Sequence, residues 1–238
     1  MDMDIEELKQ IINTYNNIIF FGGAGVSTES GIPDFRSVDG LYKQKYQYPP
    51  ETVLSHTFFL RNTEQFYEFY KDKMICLEAK PNITHKTLAR LEDEGKIKAI
   101  ITQNIDGLHQ MGGSKEVIEL HGSIYRNYCM DCHKSYSVKD IIGYKSIPRC
   151  TCGGLIKPDV VLYEEGLDEL ILESAIGYIA KAEVLIIGGT SLSVYPAAGL
   201  IRYFRGDKLV LINKSTTDYD NNADVLIQRR LGEVFSLI

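Results

Sequence analysis

Short, uninterrupted apolar runs recur along this chain: Ile18-Ile19-Phe20-Phe21, Ala99-Ile100-Ile101-Thr102, Val184-Leu185-Ile186-Ile187, Leu209-Val210-Leu211-Ile212 and, more weakly, Val225-Leu226-Ile227. A strand with one wet face alternates apolar and polar residues, whereas a run that is apolar throughout belongs in a strand buried on both faces. Apolar residues at helical spacing fill the stretches between, at 5–16, 84–94, 167–181 and 196–204. Buried strands alternating with helices predict an α/β fold on a doubly wound parallel sheet. The 238 residues, 44% of them hydrophobic, suffice for one large or two unequal domains whose core needs no disulfides.

Two stretches fall outside that alternation. Residues 46–83 are aromatic-rich and helix-like, with Phe58, Phe59, Phe66, Tyr67, Phe69 and Tyr70, and carry no buried-strand run. Four of the five cysteines crowd into the other stretch, as Cys129-Met-Asp-Cys132 and Cys150-Thr-Cys152-Gly-Gly. Paired thiols at this spacing can direct four thiolates at one tetrahedral Zn2+, so 125–157 reads as a zinc ribbon with Cys129, Cys132, Cys150 and Cys152 as ligands. His133 is the alternative ligand. The second pair has one residue fewer than the usual gap, but alternate residues of an extended chain still project to the same side. Free cysteines or two disulfides are the competing reading, and a disulfide framework suits small secreted chains better. The start, Met1-Asp2-Met3-Asp4, is acidic where a signal peptide is basic, which leads to the expectation of a reducing cytoplasm. A net charge of −6 and scattered basic residues argue against nucleic acid, and no apolar run reaches membrane-spanning length.

In an open parallel sheet, ligands bind at the carboxyl ends of the strands. The first run leads into Gly22-Gly23-Ala24-Gly25, whose Gly23 and Gly25 fit the first two glycines of a dinucleotide-binding turn. A third glycine is missing, with Thr28 in its place, and no acidic residue ends a second strand about 20 residues on, so a hydride-transferring dehydrogenase is disfavoured. Gln103-Asn104-Ile105-Asp106 follows the second run, and His121-Gly122 lies shortly after it. Gly188-Gly189-Thr190-Ser191 follows the run at 184, and Asn213-Lys214 the run at 209. Independent strand ends thus agree on one nucleotide in one crevice.

Together with Gly31-Ile32-Pro33-Asp34-Phe35-Arg36, Leu192 and Pro196-Ala197-Ala198, these motifs resemble the sirtuins, the NAD-dependent protein lysine deacylases, over about residues 18–232. The resemblance implies a Rossmann-like domain of residues 1–45, 84–124 and 158–238. The helical module 46–83 and the zinc module 125–157 would form a smaller lobe. It also implies that NAD is consumed: the acyl-lysine oxygen attacks C1′, nicotinamide leaves, and lysine and O-acetyl-ADP-ribose are released. His121 would be the general base at the ribose hydroxyl, with Asn104 and Asp106 holding the ribose and carboxamide. Gly23, Ala24, Gly25, Thr28 and Arg36 would line the phosphate side, and Phe35 would cover the nicotinamide. Gln103 and Ile105 would shape the same pocket. Gly189, Thr190, Ser191, Asn213, Lys214 and Leu231 would line the adenosine side. Acetylated protein substrates would enter as an added strand against Val160, Val161, Tyr163 and Val194.

The chain departs from the family pattern in places. Tyr163-Glu164-Glu165 stands where a Phe-Gly-Glu run is usual, and Gly22 where threonine or serine is common. Tyr70 and Lys73 match in spacing the tyrosine and arginine with which one sirtuin branch grips succinyl and malonyl groups. Lysine lacks the planar fork that binds a carboxylate bidentately, and a lysine facing water on a helix is the simpler reading, so neutral acyl groups are expected. The alternatives are mono-ADP-ribosyl transfer from the same NAD site, deacylation of acidic acyl groups, and a non-catalytic sensor of NAD or ADP-ribose.

Overall fold

The computed structural model describes residues 3–34 and 48–238. The strands in chain order are β1 (Ile18–Gly22), β2 (Ile97–Thr102), β3 (Val117–Glu119), β4 (Gly122–Cys129), β5 (Ser135–Ser137), β6 (Ile156–Val160), β7 (Val184–Gly188), β8 (Lys208–Ile212) and β9 (Val225–Ile227). Six of them form a parallel sheet in the order β3-β2-β1-β7-β8-β9. The chain winds outward from β1 to β3, then re-enters at β7 on the other side of β1. That reversal opens a crevice at the carboxyl ends of β1 and β7, where Gly22 stands level with Gly188.

Strand alternation explains why the runs are apolar at every position. Ile18, Phe20, Val184, Ile186, Val210 and Ile212 face the helices Met3–Thr14, Ile83–Asp93 and Leu231–Phe235. Ile19, Phe21, Leu185, Ile187 and Leu211 face the helix Glu169–Lys181 and the tight 3-10 segment Ala197–Tyr203. Both faces are dry, which favours apolar residues along the strands. Asn82 starts the helix Ile83–Asp93 by accepting from the Thr84 and His85 amides, and its amide group donates to the Val26 carbonyl, pinning the helix to the loop after β1.

The smaller lobe has its own core. The antiparallel sheet β5-β4-β6 packs with the short helices Pro50–Val53, His56–Arg61 and Thr63–Phe69 around Phe58, Phe59, Phe66, Tyr67, Tyr70, Ile124 and Ile156. Cys129 and Cys150 belong to the same buried cluster, so the aromatic stretch and the cysteine ribbon are halves of one core. β4 and β6 run across positions 124/125 and 157/158, and these strands themselves link the lobes. β3 was not expected: its three residues follow no continuous apolar run, and pairing with β2 supplies what the sequence pattern lacks. Among the described residues no helix is long and apolar enough to cross a membrane.

Candidate active site

A cavity of about 520 Å³ opens at the switch point and runs on between the lobes. Its floor is the loop after β1 zipped to the loop after β7: the Gly23 amide donates to the Gly188 carbonyl at 3.2 Å, and the Gly25 amide to the Gly189 carbonyl at 2.8 Å. A Cβ on Gly25 would lie 2.7 Å from the Gly189 Cα, so this approach of two backbones requires glycine. Gly189 itself has a φ of 63°.

Side chains then tie neighbouring strand ends together. Gln103 Nε2 donates to Thr190 Oγ1 at 3.0 Å. The Asn213 side chain accepts from the Thr190 amide at 3.1 Å and donates to the Thr190 carbonyl at 3.0 Å. Facing them, Asn104 Nδ2 donates to Ser27 Oγ at 3.1 Å, and Ser27 Oγ donates to Asp106 Oδ2 at 2.6 Å. The Leu108 amide donates to the other Asp106 oxygen at 2.9 Å. Burial raises the Asp106 carboxyl above its ordinary range, and the Ser27 and backbone hydrogen bonds oppose that shift.

His121 projects into the same space from the turn between β3 and β4. Its Nδ1 lies 2.9 Å from the Gln103 carbonyl oxygen. A carbonyl can only accept, so Nδ1 carries the proton and the neutral ring has Nε2 as its basic atom. Burial lowers the imidazole below its ordinary value of 6.5, and the hydrogen bond to Gln103 works the other way. Burial thus favours the neutral ring over the imidazolium. Gly122 permits the turn: with φ at 76°, a Cβ there would meet the Asp159 carbonyl oxygen at 2.0 Å.

The lining brings together Gly23, Ala24, Gly25, Gln103, Asn104, Ile105, Asp106, His121, Gly189, Thr190, Ser191, Asn213 and Lys214, and with them Val160, Val161, Tyr163 and Val194. Two predicted contacts sit apart from it. Thr28 is exposed and its hydroxyl donates to the Gly25 carbonyl, while Leu231 is buried beneath Gly188 and Gly189, supporting the floor from below. Phe35 and Arg36 lie outside the described residues. Ser27, central to the polar chain, follows the glycine turn in the sequence and was assigned no role there. Lys73, expected on a water-facing helix, lines the cavity and pairs with Asp72 at 2.9 Å. It lies in a π-helical turn, Tyr70–Met74, whose extra residue changes which side chains face inward.

The four cysteines converge as expected. Their sulfurs lie within 4.8 Å of one another, and the 129–152, 132–150 and 132–152 pairs are each 3.5 Å apart. All four are free thiols, and the spacing is close to the ~3.8 Å edge of a tetrahedron with ~2.3 Å metal–sulfur bonds. The set fits one zinc ion. A Cβ on Gly154 would lie 2.6 Å from the Cys129 sulfur, which is why a glycine follows the shortened pair.

Residues 23–196 match the profile of the Sir2 family. Over 238 residues the chain is 61% identical to the NAD-dependent protein deacetylase of Clostridium acetobutylicum, covering 98% of this chain and 97% of that one. A histidine-to-alanine variant of Sir2 with deacetylated p53 peptide and 3′-O-acetyl-ADP-ribose superposes with a TM-score of 0.91 at 41% identity, covering 100% of this chain and 97% of the other. A complex of Sir2 with p53 peptide and NAD+ gives a TM-score of 0.87 at 40% identity, with 99% and 96% covered.

Proposed function

The chain belongs to the Sir2 family, and from that premise we propose that its crevice is the site of an NAD-dependent protein lysine deacetylase. The observation that carries this reading is the single lining that joins a dinucleotide-binding turn, an imidazole with its proton held on Nδ1 and a strand edge suited to a peptide. NAD, as co-substrate, supplies an electrophilic ribose carbon and a leaving nicotinamide. The protein's part is to orient, to keep water away and to move one proton.

The Gly23-Ala24-Gly25 turn, whose lack of side chains at Gly23 and Gly25 lets the pyrophosphate approach the backbone, forms the phosphate side, and Thr28 braces that loop. Thr190, Ser191, Asn213 and Lys214 form the adenosine side, above the Leu231 support. Asn104 and Asp106 hold the ribose and the carboxamide, fixed in place by Ser27. His121 Nε2 takes the proton of a ribose hydroxyl. The acetyl-lysine peptide lies as an added strand along Val160, Val161 and Tyr163, opposite Val194, reading backbone more than side chains. Phe35 and Arg36, which lie outside the described residues, would serve the nicotinamide and the phosphates by the family resemblance. Residues 1–45, 84–124 and 158–238 form the NAD-binding domain, with 46–83 and 125–157 as the smaller lobe. Zinc held by Cys129, Cys132, Cys150 and Cys152 closes the ribbon and stands apart from the reaction.

Incubating NAD and an acetyl-lysine peptide with the protein should release nicotinamide and leave a peptide lighter by one acetyl group. A peptide heavier by ADP-ribose would instead establish mono-ADP-ribosyl transfer, and tight ADP-ribose binding without turnover a sensor. Ser27 supplies a second test. Ser27→Ala leaves the Asn104 amide without its acceptor and Asp106 without its shortest hydrogen bond, so nicotinamide release should slow about 10- to 100-fold, the effect of ~1–3 kcal/mol for unsatisfied buried polar groups. An unchanged rate would remove Ser27 from the mechanism.

A further inference from the structure

The turn that carries the peptide-binding edge is held by a buried ion cluster. Lys157 is 4% exposed, yet its ammonium group has a full set of acceptors: the Val160 carbonyl at 2.9 Å, the Pro158 carbonyl at 3.3 Å and Glu165 Oε2 at 3.0 Å. The same Glu165 oxygen accepts from the Leu162 amide at 2.9 Å, and its other oxygen accepts from His56 Nδ1 at 2.7 Å. One carboxylate thus grips the segment 160–165 from inside and ties it to the first residue of the helix His56–Arg61. Backbone bonds run beside it, from the His56 amide to the Tyr163 carbonyl and from the Tyr163 amide to the Leu54 carbonyl, each 3.0 Å.

Glu164 adds a second tie. It has a φ of 75°, a conformation that disfavours a side chain, and its carboxylate accepts from the Thr57 amide at 2.9 Å, within the first turn of the same helix. The segment it steadies is bonded in turn to the catalytic residue's backbone, since the Val161 amide donates to the His121 carbonyl at 3.0 Å.

We propose that Lys157, Glu165 and His56 form a positioning clamp that sets the peptide groove, acting on substrate binding by holding the Val160–Tyr163 edge in line with His121 and against the helical module. The inference rests on the deacetylase reading and deepens it. Lys157, Glu165 and His56 are positioning residues: they act through the backbone of the edge, and the NAD-binding loops are built from other strands. The physical content is that a buried ammonium held by two main-chain carbonyls and one carboxylate permits a single conformation of the turn, whereas loss of the carboxylate charge releases it.

Steady-state kinetics with an acetyl-lysine peptide and NAD test this, alongside ADP-ribose binding measured by calorimetry on the whole chain. In Glu165→Gln the peptide KM should rise about tenfold, and in His56→Ala about threefold, while kcat, the NAD KM and ADP-ribose affinity stay within about twofold. An unchanged peptide KM in a variant that binds ADP-ribose normally would overturn the clamp, as would a parallel loss in every parameter. Should Glu165→Gln fail to fold, the part-exposed His56→Ala decides the matter alone. A wild-type protein that does not deacetylate would bring down the functional reading and the clamp with it, whereas active wild type with unmoved variants would sink the clamp only.

Discussion

His121→Ala should reduce acetyl-peptide turnover by about 10³-fold while leaving ADP-ribose affinity within a few-fold, because a positioned general base contributes ~10²–10⁴ to rate and little to ground-state binding. The structure gives this expectation its form. The Gln103 carbonyl fixes the proton on Nδ1, so Nε2 is basic without needing to lose a proton first. Burial holds the imidazolium at a disadvantage and moves the pKa below 6.5. The active form is the neutral ring, so lowering the pH removes activity and raising it does not. The acid limb of kcat/KM should therefore fall below pH 6.5, with a slope of one, and disappear from the residual activity of His121→Ala. An acid limb above 6.5, or one that survives the substitution, would assign the base to another group. Full activity in His121→Ala would remove the imidazole from the mechanism altogether.

Removal of zinc should act on a different part of the molecule. Cys129 and Cys150 are buried in the core that also holds Phe58, Phe59, Phe66, Tyr67 and Tyr70, so the metal and the aromatic cluster stabilise one lobe together. Chelation, or Cys150→Ser, removes the bond set that joins the two cysteine pairs, and structural zinc contributes on the order of 10 kcal/mol to folding in small ribbons. Elemental analysis should find one zinc per chain. After chelation, calorimetry should resolve an early transition for the small lobe ahead of the main sheet. Peptide-dependent turnover should fall more than about tenfold, since β6 starts in that lobe and runs directly into the peptide edge. ADP-ribose binding should be the better preserved property, because its contacts arise from the loops after β1, β2, β7 and β8. Metal-free protein with a single transition and undiminished turnover would show that the ribbon folds by other means.

The two predictions separate two kinds of information. The continuous apolar runs announced the parallel sheet because burial on both faces of a strand is recorded residue by residue. Gly23, Gly25 and Gly189 were legible for a similar reason: close backbone approach leaves a mark at the very position that makes it. Cysteine spacing likewise encodes a metal site within a short segment.

Other features carried no local mark. Short β3 was hidden because its partner β2, and not its own pattern, makes it a strand. Ser27 gave no hint that it would bridge Asn104 and Asp106, and Lys73 borders the cavity from a π-helical turn that spacing alone reads as an ordinary helix. Nothing near His121 in the chain foretold that the Gln103 carbonyl would choose its tautomer, nor did Lys157 or Glu165 point to His56. The amino-acid sequence by itself determined the doubly wound sheet, its glycine-lined mouth and the cysteine ribbon, because burial period, steric room and ligand spacing are local quantities. Only the tertiary structure decided which polar atoms meet across the crevice and around the peptide edge, because hydrogen bonds between distant segments depend on strand register and lobe packing, which no single stretch of chain records.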